Sequence, residues 1–231
     1  MTGATAGCRV VLVEPENPLN VGFVARAMRA FGVKDLRIIS NRWKSTPPEA
    51  FVTGARASEI LNGARIDGAL AGALSGCRTA IAFSRRPTAL RQQEFTLPRV
   101  PVLSGRVALV FGRESTGLTR AESALCPFLA RIPCRDGVSL NLGQAVSVAL
   151  FCLTAPSGAA APPPETASLD RMLALWDYLE PRLAAAPRLS EVRLRRIRQM
   201  LYRLRLDDTD FNLLFSVMKT LALPAAARAV R

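Results

Sequence analysis

Five short apolar runs recur through the first part of the chain: Arg9 to Val13, Leu36 to Ile39, Thr79 to Phe83, Val107 to Phe111 and Phe128 to Ile132. Each is too short for a helix and rich in Val, Ile, Leu, Phe or Ala, as strands buried on both faces are. Between them lie helical stretches. Val21 to Phe31 sets Val24, Met28 and Phe31 on one face and stops at Gly32, a natural C-terminal cap. Strand alternating with helix predicts an α/β domain with a mostly parallel sheet, whose ligands bind at the carboxyl ends of the strands. No internal repeat is visible.

The run Pro156 to Pro164 (PSGAAAPPP) breaks this pattern, because three consecutive prolines suit neither a helix nor a central strand. The expected organisation is therefore a domain over residues 1–155, a linker over 156–164 and a helical, Arg-rich extension over 165–231. Ser168 caps the first expected tail helix, with Leu169, Leu173, Trp176 and Leu179 on one face and Pro181 as its stop or kink. The second carries Leu194, Ile197, Leu201 and Leu204 at 3-4-3 spacing. The third opens on Asp207, Asp208 and Asp210 and buries Phe211, Leu214, Phe215 and Met218.

Composition narrows the class. With 49% hydrophobic and 21% charged residues, the 231-residue chain reads as globular. Its net charge is +13, and all but three of the 31 basic residues are arginine. Such a surplus attracts polyanions and points to nucleic acid. From Arg182 to Arg205 a single acid, Glu191, stands among eight arginines, and Arg193, Arg196 and Arg203 are the candidate RNA contacts. Histidine is absent, which removes Ser-His-Asp and Cys-His nucleophile systems, HExxH zinc sites and any imidazole base. Cys8, Cys77, Cys126, Cys134 and Cys152 are odd in number and never form CxxC, so neither a disulfide framework nor a metal site is expected, and a reducing, cytoplasmic setting is. The chain opens without a signal-peptide pattern. The uncharged stretch from Gly137 to Pro164 has too short an apolar core to span a membrane and reads as a buried helix.

Three motifs carry candidate chemistry, each a strand leading through a polar loop into a helix. The first, Glu14-Pro-Glu-Asn-Pro-Leu-Asn20-Val-Gly22-Phe-Val-Ala-Arg26, offers Asn20 as a helix cap and Arg26 inside the helix. The second, Phe111-Gly-Arg-Glu-Ser-Thr-Gly-Leu, matches the P-loop spacing from Gly112 to Gly117 but has Leu118 in place of the lysine that neutralises phosphate, which argues against a nucleotide triphosphatase. Gly112 there suits a close backbone approach by a ligand. The third, Ile132-Pro-Cys-Arg-Asp-Gly-Val-Ser139-Leu-Asn141, places two capping residues before an apolar helix.

Together NxGxxARAM, FGRExxGL and IP followed by SLNL resemble the SPOUT superfamily of RNA methyltransferases, and within it the TrmH-type ribose 2′-O-methyltransferases, most of all those acting on tRNA cytidine and uridine. Phe23, Gly143, Gln144 and the Arg85–Arg86 pair depart from that pattern. The resemblance implies an α/β domain with a C-terminal trefoil knot, a homodimer, and S-adenosylmethionine as methyl donor. It implies donor contacts at Phe83, Ser84, Arg85, Gly112, Ile132, Val138, Ser139 and Leu140. It also implies a catalytic Arg26 supported by Asn20, Glu114, Ser139 and Asn141. The reaction it implies is 2′-O-methylation of a tRNA ribose, at cytidine or uridine 32 of the anticodon loop. An rRNA 2′-O-methyltransferase and a non-catalytic RNA-binding protein of the same fold are the alternatives.

Overall fold

The computed structural model describes residues 7–84, 93–101, 103–135, 138–154, 166–185 and 189–221. Seven parallel strands form one sheet in the order β3-β2-β1-β6-β4-β7-β5. They are β1 (Cys8–Val13), β2 (Asp35–Ile39), β3 (Arg65–Asp67), β4 (Thr79–Phe83), β5 (Gln93–Thr96), β6 (Val107–Phe111) and β7 (Phe128–Arg131). The five apolar runs are β1, β2, β4, β6 and β7, the interior of the sheet. The two edge strands were not legible, because β3 has three residues and β5 reads Gln-Glu-Phe-Thr, so neither carries a buried run.

The pleat divides the core. Val10, Leu12, Ile81, Phe83, Leu109 and Phe111 face one side, where α1 (Pro18–Ala30), α2 (Pro48–Gly54), α3 (Ser58–Gly63) and α6 (Leu142–Thr154) cover them. Val11, Val13, Ala80, Ala82, Ala108 and Val110 face the other side. That face is lined by small side chains and so has room for bulky partners. Trp176, Met172 and Leu175 of α7 (Leu169–Ala184) join its cluster, as do Leu194 and Leu201 of α8 (Glu191–Arg203) and Phe211 of α9 (Asp208–Leu221). The short helices α4 (Leu70–Leu74) and α5 (Arg120–Ala124) complete the layer.

Several local expectations change. Helix α1 starts at Pro18, and its cap is Asn17, whose side chain accepts the Leu19 N–H at 2.9 Å; Asn20 lies inside the helix. Its far end does close on Gly32, at φ +71°, a left-handed conformation that glycine adopts without strain. Pro181 does not stop α7, which continues to Ala184. So near the helix end a proline forfeits little hydrogen bonding, and Trp176 and Leu179, both buried, hold the helix down. On α8 the apolar stripe runs through Leu194, Leu201 and Tyr202, while Leu204 is 48% exposed. The linker expected at 156–164 lies outside the described residues. Among these, no helix is long and apolar enough to cross a membrane.

Candidate active site

Three loops meet at the carboxyl ends of β4, β6 and β7 and enclose a cavity of about 600 Å³, a size typical of small-molecule sites. Its inner wall is apolar: Phe83, Phe111, Ala130, Ile132, Leu140, Leu142 and Ala145. The Phe83 and Phe111 rings stack there, with centroids 4.5 Å apart. The loop from Gly112 to Thr119 forms the polar wall.

The 112–119 loop is built tightly. The Gly117 N–H donates to the Arg113 carbonyl at 2.8 Å, and Gly117 has φ +71°. A Cβ on Gly112 would lie 2.2 Å from the Gly117 carbonyl carbon and 2.3 Å from the Leu118 nitrogen. The chain thus folds back over Gly112, so the need for glycine comes from the loop's own backbone and the expected ligand approach is not required to explain it. Arg113 makes a two-pronged ion pair with Glu122, both bonds 3.1 Å, and Thr119 and Glu122 form a reciprocal cap on α5. Hydrogen bonding to Glu122 raises the Arg113 pKa. Burial alone would push the Glu122 carboxyl up, but Arg113 and the Thr119 amide outweigh it and hold it below its ordinary value.

Glu114 joins this loop to the first motif. Its carboxylate accepts the backbone N–H groups of Glu16 and Asn17, at 2.8 and 3.3 Å, and the Asn20 side-chain amide at 2.8 Å. The Asn20 oxygen in turn accepts the Asn141 side-chain amide at 2.7 Å, and the Asn141 oxygen accepts the Gly143 N–H at 2.8 Å as a cap on α6. One chain, Glu114–Asn20–Asn141, therefore locks all three motifs together. A second link runs from Glu16 to the Ser115 hydroxyl and N–H, at 2.5 and 3.0 Å, and the hydroxyl bond holds the Glu16 carboxyl below its ordinary value.

Of the expected donor contacts, Phe83, Ser84, Gly112, Ile132, Ser139 and Leu140 line the cavity; Val138 does not, and Arg85 lies outside the described residues. Arg26 joins neither the cavity lining nor the Glu114 chain. It is exposed on α1 with no hydrogen-bond or ion-pair partner among the described residues. Six residues along a helix turn it about 120° away from Asn20, toward the exposed Leu19 and Phe23. Arg196 stands on the cavity wall, while Arg193 and Arg203 do not. The sequence reading missed Glu16, Ser115, Thr119, Arg120, Ser123 and Cys134 around the loops, and Val192 and Arg195 on α8. The last two had a signal: Val192 is an apolar residue on the polar side of an Arg-rich helix, at i, i+3, i+4 with Arg195 and Arg196. Among the described residues, no cluster of His, Cys, Asp or Glu could hold a metal ion.

The tRNA (cytidine/uridine-2′-O-)-methyltransferase TrmJ of Salmonella typhimurium is 30% identical to this chain over 232 residues, covering 92% of this chain and 95% of the relative. The crystal structure of TrmJ from Z. mobilis ZM4 superposes with a TM-score of 0.82 at 26% identity, over 93% of this chain and 99% of that one. The AdoMet-bound rRNA methyltransferase of Sinorhizobium meliloti, 20% identical with a TM-score of 0.51 over 64% of this chain and 56% of its own, shares the fold. Residues 7–151 match the SpoU rRNA Methylase family, a span that takes in every residue of the cavity except Val192, Arg195 and Arg196. By its sheet, its cavity and this match, the chain belongs to the SpoU rRNA Methylase family.

Proposed function

We propose that this chain is a homodimeric enzyme that methylates the 2′-oxygen of a tRNA ribose with S-adenosylmethionine as donor, at cytidine or uridine 32 of the anticodon loop. The observation that carries the reading is the cavity at the carboxyl ends of β4, β6 and β7, tied by Glu114, Asn20 and Asn141 to the motif that bears Arg26. SpoU methyltransferases use S-adenosylmethionine, and the trefoil threading expected from the sequence belongs to the same reading.

The residues present suit the donor. Phe83, Ile132, Leu140 and Leu142 provide the apolar slot, and the loop from Gly112 to Thr119 provides backbone polar groups beside it. When bound, the donor supplies a methyl group on a sulfonium, already activated for transfer. What remains for the protein is to align the ribose hydroxyl and ease loss of its proton. Arg26 is assigned to the RNA. A guanidinium stays protonated, so it acts by holding a phosphate and stabilising the developing alkoxide, and the proton leaves to phosphate or water. Asn20 and Asn141 fix the start of α1 and so the position of Arg26. The exposed Leu19 and Phe23 beside it, and the exposed Phe151 of the adjacent α6, whose ring lies 6.5 Å from that of Phe31 at the far end of α1, are apolar side chains suited to a second copy. In this reading Arg26 of one protomer serves a cavity of its partner. Arg193 and Arg203 extend the RNA surface onto the tail.

The test is incubation with methyl-labelled S-adenosylmethionine and separated tRNA and rRNA, followed by nucleoside mass spectrometry. A 2′-O-methylated pyrimidine nucleoside from tRNA is expected, and its absence at position 32 would remove that target. Label in rRNA alone would assign the enzyme to rRNA, and no transfer to either would leave an RNA-binding protein.

A further inference from the structure

The cavity has a wall that the SpoU-type segment does not supply. Val192, Arg195 and Arg196 of α8 line it from the C-terminal extension. The helix is held in place by buried groups. Gln199, fully buried, donates its side-chain amide to the Ala124 carbonyl at the end of α5, at 2.9 Å, and the Arg198 guanidinium lies 4.6 Å from the centre of the buried Trp176 ring. On the side facing α8 the cavity is cationic, since Arg120 of α5 also lines it. Arg120 and Arg196 have no ion-pair or hydrogen-bond partner among the described residues. Among the described residues Arg195 has only Glu191, at 3.7 Å, a side chain 89% exposed. The acid in the lining, Glu114, is already taken up by three donors on the motif-one side. Three guanidiniums lining one cavity, with only the exposed Glu191 carboxylate beside one of them, repel one another unless an oxyanion joins them.

We propose that α8 is a wall of the methyl-donor site and that Arg195 and Arg196 bind the carboxylate of S-adenosylmethionine. The assignment rests on the reading of the cavity as a donor site. The donor's other charged groups, the sulfonium and the ammonium, are cations that an arginine cluster repels, so its carboxylate is the group this wall recognises. The extension is thereby part of the donor site of its own chain as well as a surface for RNA.

The experiment is calorimetry on the full-length chain without RNA, using S-adenosylmethionine and its decarboxylated analogue. The wild type is expected to favour the carboxylated donor by about tenfold or more, the scale of a charge-assisted pair. The double variant Arg195→Gln/Arg196→Gln should lose about that factor for S-adenosylmethionine and keep its affinity for the analogue, with lysine at both positions restoring part of the preference. Equal loss for both ligands, or unchanged affinity for S-adenosylmethionine, would overturn the assignment. Unchanged donor affinity with weakened tRNA binding would give the two arginines to RNA instead. A wild type that binds neither ligand would remove the donor reading itself, whereas a wild type that binds both alike removes only the carboxylate contact.

Discussion

At the scale of single residues, polar side chains at this site divide into those consumed by structure and those left for chemistry. Glu114, Asn20 and Asn141 spend their hydrogen-bonding capacity on one another and on backbone N–H groups, which makes them positioning residues. Arg26 holds its charge in solvent. Arg26→Ala is therefore expected to reduce single-turnover methyl transfer to tRNA by at least about 10²-fold while leaving calorimetric donor affinity and the melting temperature nearly unchanged. A variant with a near-wild-type single-turnover rate would end the role assigned to it. Cys8, Cys77 and Cys126 are small buried side chains, whereas Cys134 is exposed and Cys152 partly so; burial pushes the Cys8 thiol up to about 11 and raises that of Cys126 further, so neither of these two is a nucleophile near neutral pH.

At the scale of elements, close contacts between loops and helices explain the motif glycines. Gly22 would bring a Cβ within 2.2 Å of the Ala50 carbonyl, and Gly143 would bring one within 2.7 Å of the Phe23 Cβ, so these glycines let α2 and α6 pack on α1. Gly112→Val should open the 112–119 loop, costing about 1–3 kcal/mol of stability as overpacking does and weakening donor binding together with it. A folded variant with unchanged melting and unchanged affinity would contradict that account. The first three strands are tied by an ion-pair row. Arg9, only 3% exposed, donates to Asp35 at 2.8 Å and to the Ala73 and Ser75 carbonyls, and Arg37 bridges Asp35 to Asp67. Burial raises the Asp35 pKa, but hydrogen bonds from Arg9 and Arg37 outweigh it and hold it below the ordinary aspartate value. A carboxyl lowered on folding stabilises fully above its unfolded pKa, about 4, and that contribution fades as pH falls through the folded value. Asp35→Asn should cost roughly 3 kcal/mol at neutral pH, because it strands a buried guanidinium, and urea titrations should show a flatter loss of stability below pH 4 than in the wild type.

At the scale of the whole molecule, the +13 charge sets how the protein meets RNA. Replacing Arg193 and Arg203 by Gln should weaken tRNA binding and lower its log–log salt slope by up to roughly 0.7–0.9 for each phosphate that the variant no longer neutralises; an unchanged slope would return both to a solvated helix face. Arg196 is left out of that test because it lines the cavity. Sedimentation at assay concentration should give a dimer, and a fully active monomer would oppose the shared-site reading. The interior strands, the helical tail and the three motif loops were legible in the sequence alone, because local period and turn chemistry report burial within a few residues of themselves. The resemblance also named six residues that line the cavity, Phe83, Gly112 and Ile132 among them. The reach of Glu114 to Asn20 across 94 residues, and of Asn20 to Asn141 across 121, was not, since no local pattern records which loops the sheet order brings together. For the same reason Asn20 read as a cap, and the place of α8 beside the cavity went unread. Small residues on one face of the sheet left the space that Trp176 and α8 fill, and only that packing set Arg195 and Arg196 beside the cavity.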